Sequence, residues 1–113
     1  MGHLIYRCPD LNKGLQTIFK EIAPQKVQEM LEESSINVVD IRDPGSYSAG
    51  HIPTALSISD NNVQEFIDSA DKEKPLVVCC YHGISSQGAA EYFSENGFNE
   101  VYSMTGGYLA WPA

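Results

Sequence analysis

Apolar and polar positions change period several times along the chain, and each change marks an element. Phe19 to Ile22 reads as a short strand. Ala23-Pro24 then opens a helix, proline being well placed at an early position where its missing N–H costs nothing. Val27, Met30 and Leu31, spaced i, i+3 and i+4, give that helix one apolar stripe from Pro24 to Glu33. Ser34-Ser35 ends it. Ile36 to Ile41 is a β-branched run of strand length. Arg42 to Ser46 reads as a loop, Tyr47 to Ala49 as one helical turn, and Gly50 to Pro53 as a further turn. Ala55 to Ile58 is a brief strand. Asp60-Asn61-Asn62 offers N-cap residues for a helix from Asn62 to Ser69, with Val63, Phe66 and Ile67 inward, and Asp71 to Pro75 is a charged connection.

Leu76-Val77-Val78-Cys79-Cys80-Tyr81 is the most continuous apolar run. It has no polar alternation, which predicts a strand buried on both faces, as in the centre of a parallel sheet. His82 to Ser85 is a tight loop, and Ser86 to Asn96 is a helix with Ala89, Ala90 and Phe93 inward and Gly97 at its end. Val101 to Met104 is the last strand, Thr105-Gly106-Gly107 a turn, and Tyr108 to Trp111 the start of a helix that the chain end cuts short. Strands alternating with helices predict an α/β domain: a mainly parallel sheet of about five strands with helices on both faces. The domain is expected over 19–113. Residues 1–18 read as an N-terminal extension whose pattern specifies no order.

The chain has 113 residues, enough for one core. Its 15 acidic and 7 basic residues give a net charge of −8. No basic face is then available for nucleic acid or for an anionic membrane surface. No apolar run approaches the roughly 20 residues that span a bilayer, and no leader pattern opens the chain, so a soluble cytoplasmic protein is expected. The acidity also repels anionic substrates, so any anion site must be built locally. Three cysteines, Cys8, Cys79 and Cys80, are too few and too badly placed for a disulfide framework. His3, His51 and His82 are scattered, with no spacing that suits a metal.

A single reactive thiol remains, and Cys80 is the candidate. Parallel sheets bind ligands at the carboxyl ends of their strands. The loop Cys80-Tyr81-His82-Gly83-Ile84-Ser85-Ser86 leaves such an end and enters a helix, so its amides and the helix N-terminus can converge on one anion. Such a setting lowers a thiol pKa from about 8.5 toward 3.5–7.5. Ser85, Ser86 and the loop amides need no cationic side chain to hold an anion. Cys79 faces the opposite way and reads as an inert core residue, and Cys8 lies in the illegible segment. His82 is either a base or a plain loop residue. His51 reads as a structural hydrogen-bonding residue, and Asp40 and Arg42, flanking Ile41, as a pair bracing the loops. A cysteine phosphatase would need a guanidinium to hold phosphate bidentately; the pattern of those families places that arginine six positions after the cysteine, where Ser86 stands here.

These segments resemble the rhodanese family. Val39-Asp40-Ile41-Arg42-Asp43-Pro44, Tyr47 and Gly50-His51-Ile52-Pro53-x-Ala55 resemble its upstream signature, and Gly106-Gly107-Tyr108-x-x-Trp111 its downstream one. The Cys80 to Ser86 loop is similar to that of the GlpE-type single-domain thiosulfate sulfurtransferases, and the likeness spans Phe19 to Trp111. It implies a rhodanese-like three-layer domain and double displacement. Cys80 takes the outer sulfur of thiosulfate as a persulfide, sulfite leaves, and cyanide or a thiol accepts the sulfur. Tyr81, His82, Gly83, Ile84, Ser85 and Ser86 would bind substrate, with Asp40, Arg42 and His51 supporting the site. The resemblance further implies no metal or organic cofactor and a thioredoxin-like protein among the acceptors. It leaves monomer and homodimer open. Three departures stand out: Tyr81 replaces the arginine that follows the cysteine in many relatives, Thr54 replaces a common glycine, and the chain ends two residues after Trp111. The alternative is a persulfide relay or interaction module loaded by a protein donor.

Overall fold

The computed structural model describes residues 19–112. The extension at 1–18, with His3 and Cys8, lies outside the described residues. Five strands form one sheet: β1 (Lys20–Ile22), β2 (Asn37–Asp40), β3 (Leu56–Ser57), β4 (Leu76–Cys79) and β5 (Val101–Met104). Between them run the helices α1 (Pro24–Glu33), α2 (Pro44–Ala49), α3 (Val63–Ser69) and α4 (Ser85–Glu95), and a 3-10 turn (Tyr108–Ala110) follows β5. The strand order is β1-β5-β4-β2-β3 with every pairing parallel. The continuous apolar run is therefore the central strand, as its lack of alternation requires.

Alternate residues of β2 and β4 feed two separate cores, which is the period-2 consequence of a sheet covered on both faces. On one face Val39, Leu76 and Val78 pack with Phe66 and Ile67 of α3 and with Ala90 and Phe93 of α4. On the other, Val38, Val77 and Cys79 pack with Val27 of α1, with Ile52 and with Met104. The layers are helix, sheet, helix. Among the described residues no helix is long and apolar enough to cross a membrane.

Several boundaries differ from the sequence expectation for identifiable reasons. β4 stops at Cys79, because the Cys80 carbonyl is taken by the Tyr108 N–H at 2.7 Å and no longer by a neighbouring strand. α2 starts at Pro44, where a loop was expected: the Asp43 carboxylate accepts the Ser46 N–H at 3.0 Å and Pro44 fills the first turn. Asn62 precedes α3 without capping it, since its side chain accepts from the Ser59 N–H and donates to the Ser57 carbonyl. After β5 the chain makes only a single 3-10 turn, closed by the Trp111 N–H on the Tyr108 carbonyl at 2.9 Å. Thr54 holds a φ of 71°, in the left-handed region.

Candidate active site

The carboxyl end of β4 delivers Cys80 to the start of α4. The Gly83 and Ser86 N–H groups donate to its Sγ at 3.1 and 3.2 Å. Ser86 lies in the first turn of an 11-residue helix, so the amide it offers is one of those a helix leaves without an internal partner. The sulfur is buried, and burial alone pushes a thiol pKa up. Hydrogen bonds from the Ser86 hydroxyl and from the Ser86, Gly83 and His82 amides outweigh it and hold the Cys80 pKa below its ordinary value. Cys79 has the opposite fate one residue earlier. Fully buried in the other core, with Asp40 adding to the effect of burial, its thiol is pushed up to about 12.

The loop is held from two sides. On the helix side Gln87 donates its amide to the Gly83 carbonyl at 3.0 Å. On the other, the segment after β5 lies across the loop: the Tyr108 and Leu109 N–H groups donate to the Cys80 and Tyr81 carbonyls at 2.7 and 3.2 Å. Gly83 (φ 88°) makes the matching approach, where a methyl group would come within 2.7 Å of the Gly106 nitrogen. The two glycine-bearing segments interlock: a methyl group on Gly107 would meet the Cys80 and Tyr81 carbonyls, whereas at Gly106 it would meet Ala110.

Within the loop, Tyr81 is partly exposed and its hydroxyl is 3.1 Å from Ser46 Oγ on α2. The His82 ring is exposed, and what His82 brings to the sulfur is its backbone amide. Ile84 and Ser85 are exposed, while Ser86 is fully buried. Asp40 and Arg42 form a buried pair: Nε donates to both carboxylate oxygens at 3.0 and 3.1 Å, and Nη2 to Oδ2 at 2.7 Å. The same Nη2 holds the Gly50 carbonyl at 2.7 Å, and the guanidinium lies 4.1 Å from the Tyr108 ring centroid. This pair therefore ties β2 to the turn after α2 and to the segment pinning the loop. Arg42 is the one arginine among the described residues, and its fork is spent on Asp40 and Gly50, not on the sulfur. His51 stacks on Tyr47 (centroids 3.8 Å apart, planes at 8°) and its Nδ1 is 2.8 Å from the Tyr47 carbonyl. Its contacts are with α2.

Sequence reading passed over Gln87, Ser46 and Ser103. Ser103 Oγ is 2.7 Å from Ser86 Oγ, both side chains being buried. Its signal was a polar residue two positions from Val101, on a core-facing side of β5. Among the described residues no group of three or more His, Cys, Asp or Glu is arranged to hold a metal ion.

A parallel α/β sheet whose central strand is followed directly by a cysteine, its sulfur cradled by loop amides at a helix N-terminus, defines a cysteine-loop domain. The chain belongs to the rhodanese-like family, whose domain model matches residues 23–113. It is 46% identical over 95 residues to the thiosulfate sulfurtransferase GlpE of Pseudoalteromonas translucida, covering 84% of this chain and 90% of that protein. With the GlpE of Pseudomonas aeruginosa it shares 50% identity over 93 residues, covering 82% and 84%. A rhodanese-like domain protein from Staphylococcus aureus has the same fold in its crystal structure, with a TM-score of 0.71, 29% identity, and coverage of 82% of this chain and 91% of that one.

Proposed function

We propose that this protein is a thiosulfate sulfurtransferase with Cys80 as the sulfur carrier. The observation that carries the role of Cys80 is the convergence of the Gly83 and Ser86 amides on its sulfur; relatives named for the reaction, at 46% and 50% identity over most of their length, support the substrate. The Cys80 thiolate attacks the outer sulfur of thiosulfate, the S–S bond breaks, and sulfite departs with the electron pair. Cys80 keeps a persulfide whose terminal sulfur carries the negative charge. An acceptor then attacks that sulfur: cyanide leaves as thiocyanate, a thiol leaves as its own persulfide, and the Cys80 thiolate returns. Fixed amide dipoles around the sulfur favour both anionic forms without a cationic side chain, and they need no reorganisation during reaction. Tyr81 and the loop to Ser86 bound the substrate site; Asp40, Arg42 and His51 support it.

The acceptor in this reading is a thiol, including that of a thioredoxin-like protein, for which exposed Tyr81, Ile84 and Leu109 offer apolar contact beside the loop. A reducing, cytoplasmic setting suits a free thiolate. The test is incubation with thiosulfate, reading sulfite release, cyanide-dependent thiocyanate and intact mass. A mass gain of one sulfur atom, absent in Cys80→Ser, is the expected result. Absence of both sulfite and the mass gain would overturn the assignment.

A further inference from the structure

Ser103 has no place in the family signatures or in the reaction just given, yet it is a hydroxyl buried at 1% exposure in a strand. Its Oγ lies 2.7 Å from Ser86 Oγ, itself fully buried. A hydroxyl carries one proton and two lone pairs. In the pair, one oxygen must donate and the other accept, and the direction decides what remains for the sulfur. If Ser86 donates to Ser103, its proton is consumed inside the core. If Ser103 donates to Ser86, the Ser86 proton is free for a different acceptor. The anion beside it is Cys80, on whose sulfur the Ser86 amide already sits at 3.2 Å. When that sulfur is ionised, the second arrangement satisfies both hydroxyls and adds a donor to the anion.

We propose that Ser103 is a positioning residue: it donates to Ser86 Oγ and so holds the Ser86 hydroxyl proton on the Cys80 sulfur in its thiolate and persulfide states. The relay Ser103 to Ser86 to Cys80 runs from β5 to the first turn of α4 and then to the end of β4. A hydrogen bond received by Ser86 polarises the one it gives, so the effect on the anion reaches beyond direct contact. This also accounts for a serine at a position where β5 otherwise buries Val101 and Met104. Ser86 donates twice, through its backbone and its side chain, and only the side-chain half depends on Ser103. The proposal rests on Cys80 being the reactive thiolate.

The test is the pH profile of Cys80 alkylation by iodoacetamide in the full chain, with the modified residue identified by fragment mass to separate it from Cys79 and Cys8. Four proteins are compared with the parent: Ser103→Ala, Ser103→Thr, Ser86→Ala and the double Ala variant. The relay predicts that Ser103→Ala raises the midpoint by about half to one pH unit, the scale of one hydrogen bond. Threonine, which keeps the hydroxyl, restores it. In the Ser86→Ala background Ser103→Ala produces no further shift. A low parent midpoint that Ser103→Ala leaves in place, or an equal shift with Ser86 already removed, overturns the relay alone. A parent midpoint at the ordinary thiol value overturns the thiolate reading of Cys80 with it.

Discussion

Gly107 presses its bare α-carbon against the peptide of Tyr81: a methyl group there would lie 2.4 Å from the Tyr81 carbonyl carbon and oxygen. The residue also has a φ of 64°, where a side chain is strained on its own account. Gly107→Ala is therefore expected to lift the 107–109 segment off the loop. The cost is about 2–4 kcal/mol of stability in urea unfolding, with sulfite release falling at least about tenfold at a concentration where the fold persists. Retention of full activity in a folded Gly107→Ala protein would show that the pinning segment has no bearing on the loop.

The two adjacent cysteines should respond to substitution in opposite ways. Cys80→Ser removes the sulfur that the amides hold and should abolish both the persulfide mass and thiocyanate formation. Cys79→Ser places a hydroxyl in the second core and should cost about 1–3 kcal/mol of stability while leaving turnover measurable. Loss of activity in the Cys79 variant alone would reverse the assignment.

The depressed Cys80 pKa carries a stability signature of definite sign. An acid whose folded pKa lies below its unfolded value adds stability that is fully present above the unfolded pKa, about 8.5 for a free thiol, and is lost as pH falls through the folded pKa. The parent should thus gain on Cys80→Ser as pH rises toward 8.5, and the gain should vanish in acid. Taking the difference between these two proteins removes most of the contribution of Cys79, whose pKa, pushed up to about 12, works in the other direction above neutrality. Denaturant midpoints of both proteins across the pH range provide the check.

Thr54 pays for a backbone angle that glycine adopts freely. With φ at 71° it is the single non-glycine residue among those described in the left-handed region, and it is β-branched. Thr54→Gly should stabilise the protein by about 1 kcal/mol, the left-handed penalty less the added freedom of the unfolded chain. Thermal unfolding of the pair of proteins measures it.

The Asp40–Arg42 pair should be fragile to removal of one partner. Arg42→Met strands a fully buried carboxylate and frees the Gly50 carbonyl, at an expected cost of about 3–5 kcal/mol. Arg42→Lys should recover only part of it, because an ammonium cannot reproduce the fork that holds both carboxylate oxygens. Urea unfolding of the two variants ranks them.

Much of this fold was legible because its strands are short apolar runs between well-marked helices, and the unalternating Leu76 to Cys79 segment identified the centre of the sheet. Cys80 and its loop were legible because a strand, a glycine and a helix start fall in immediate succession. What escaped were contacts that no local pattern encodes. Asp43-Pro44 had the chemistry of a helix start but was masked by Gly45 and Ser46, which equally suit a turn. The Tyr108 amide on the Cys80 carbonyl joins residues 28 positions apart, and the Ser103 to Ser86 contact becomes visible only once β5 is laid beside β4. The same long reach explains why β4 ends one residue before the cysteine.

Because every strand is parallel, each pairing waits for a crossover, and β5 must insert between β1 and β4 before the segment carrying Gly107 reaches the loop. In a chain emerging during synthesis, β5 and residues 106–109 come after everything they hold in place. The topology thus sets an order of completion: the loop that cradles Cys80 receives its outer support, the Tyr108 and Leu109 amides on its carbonyls, only after β5 has paired between β1 and β4.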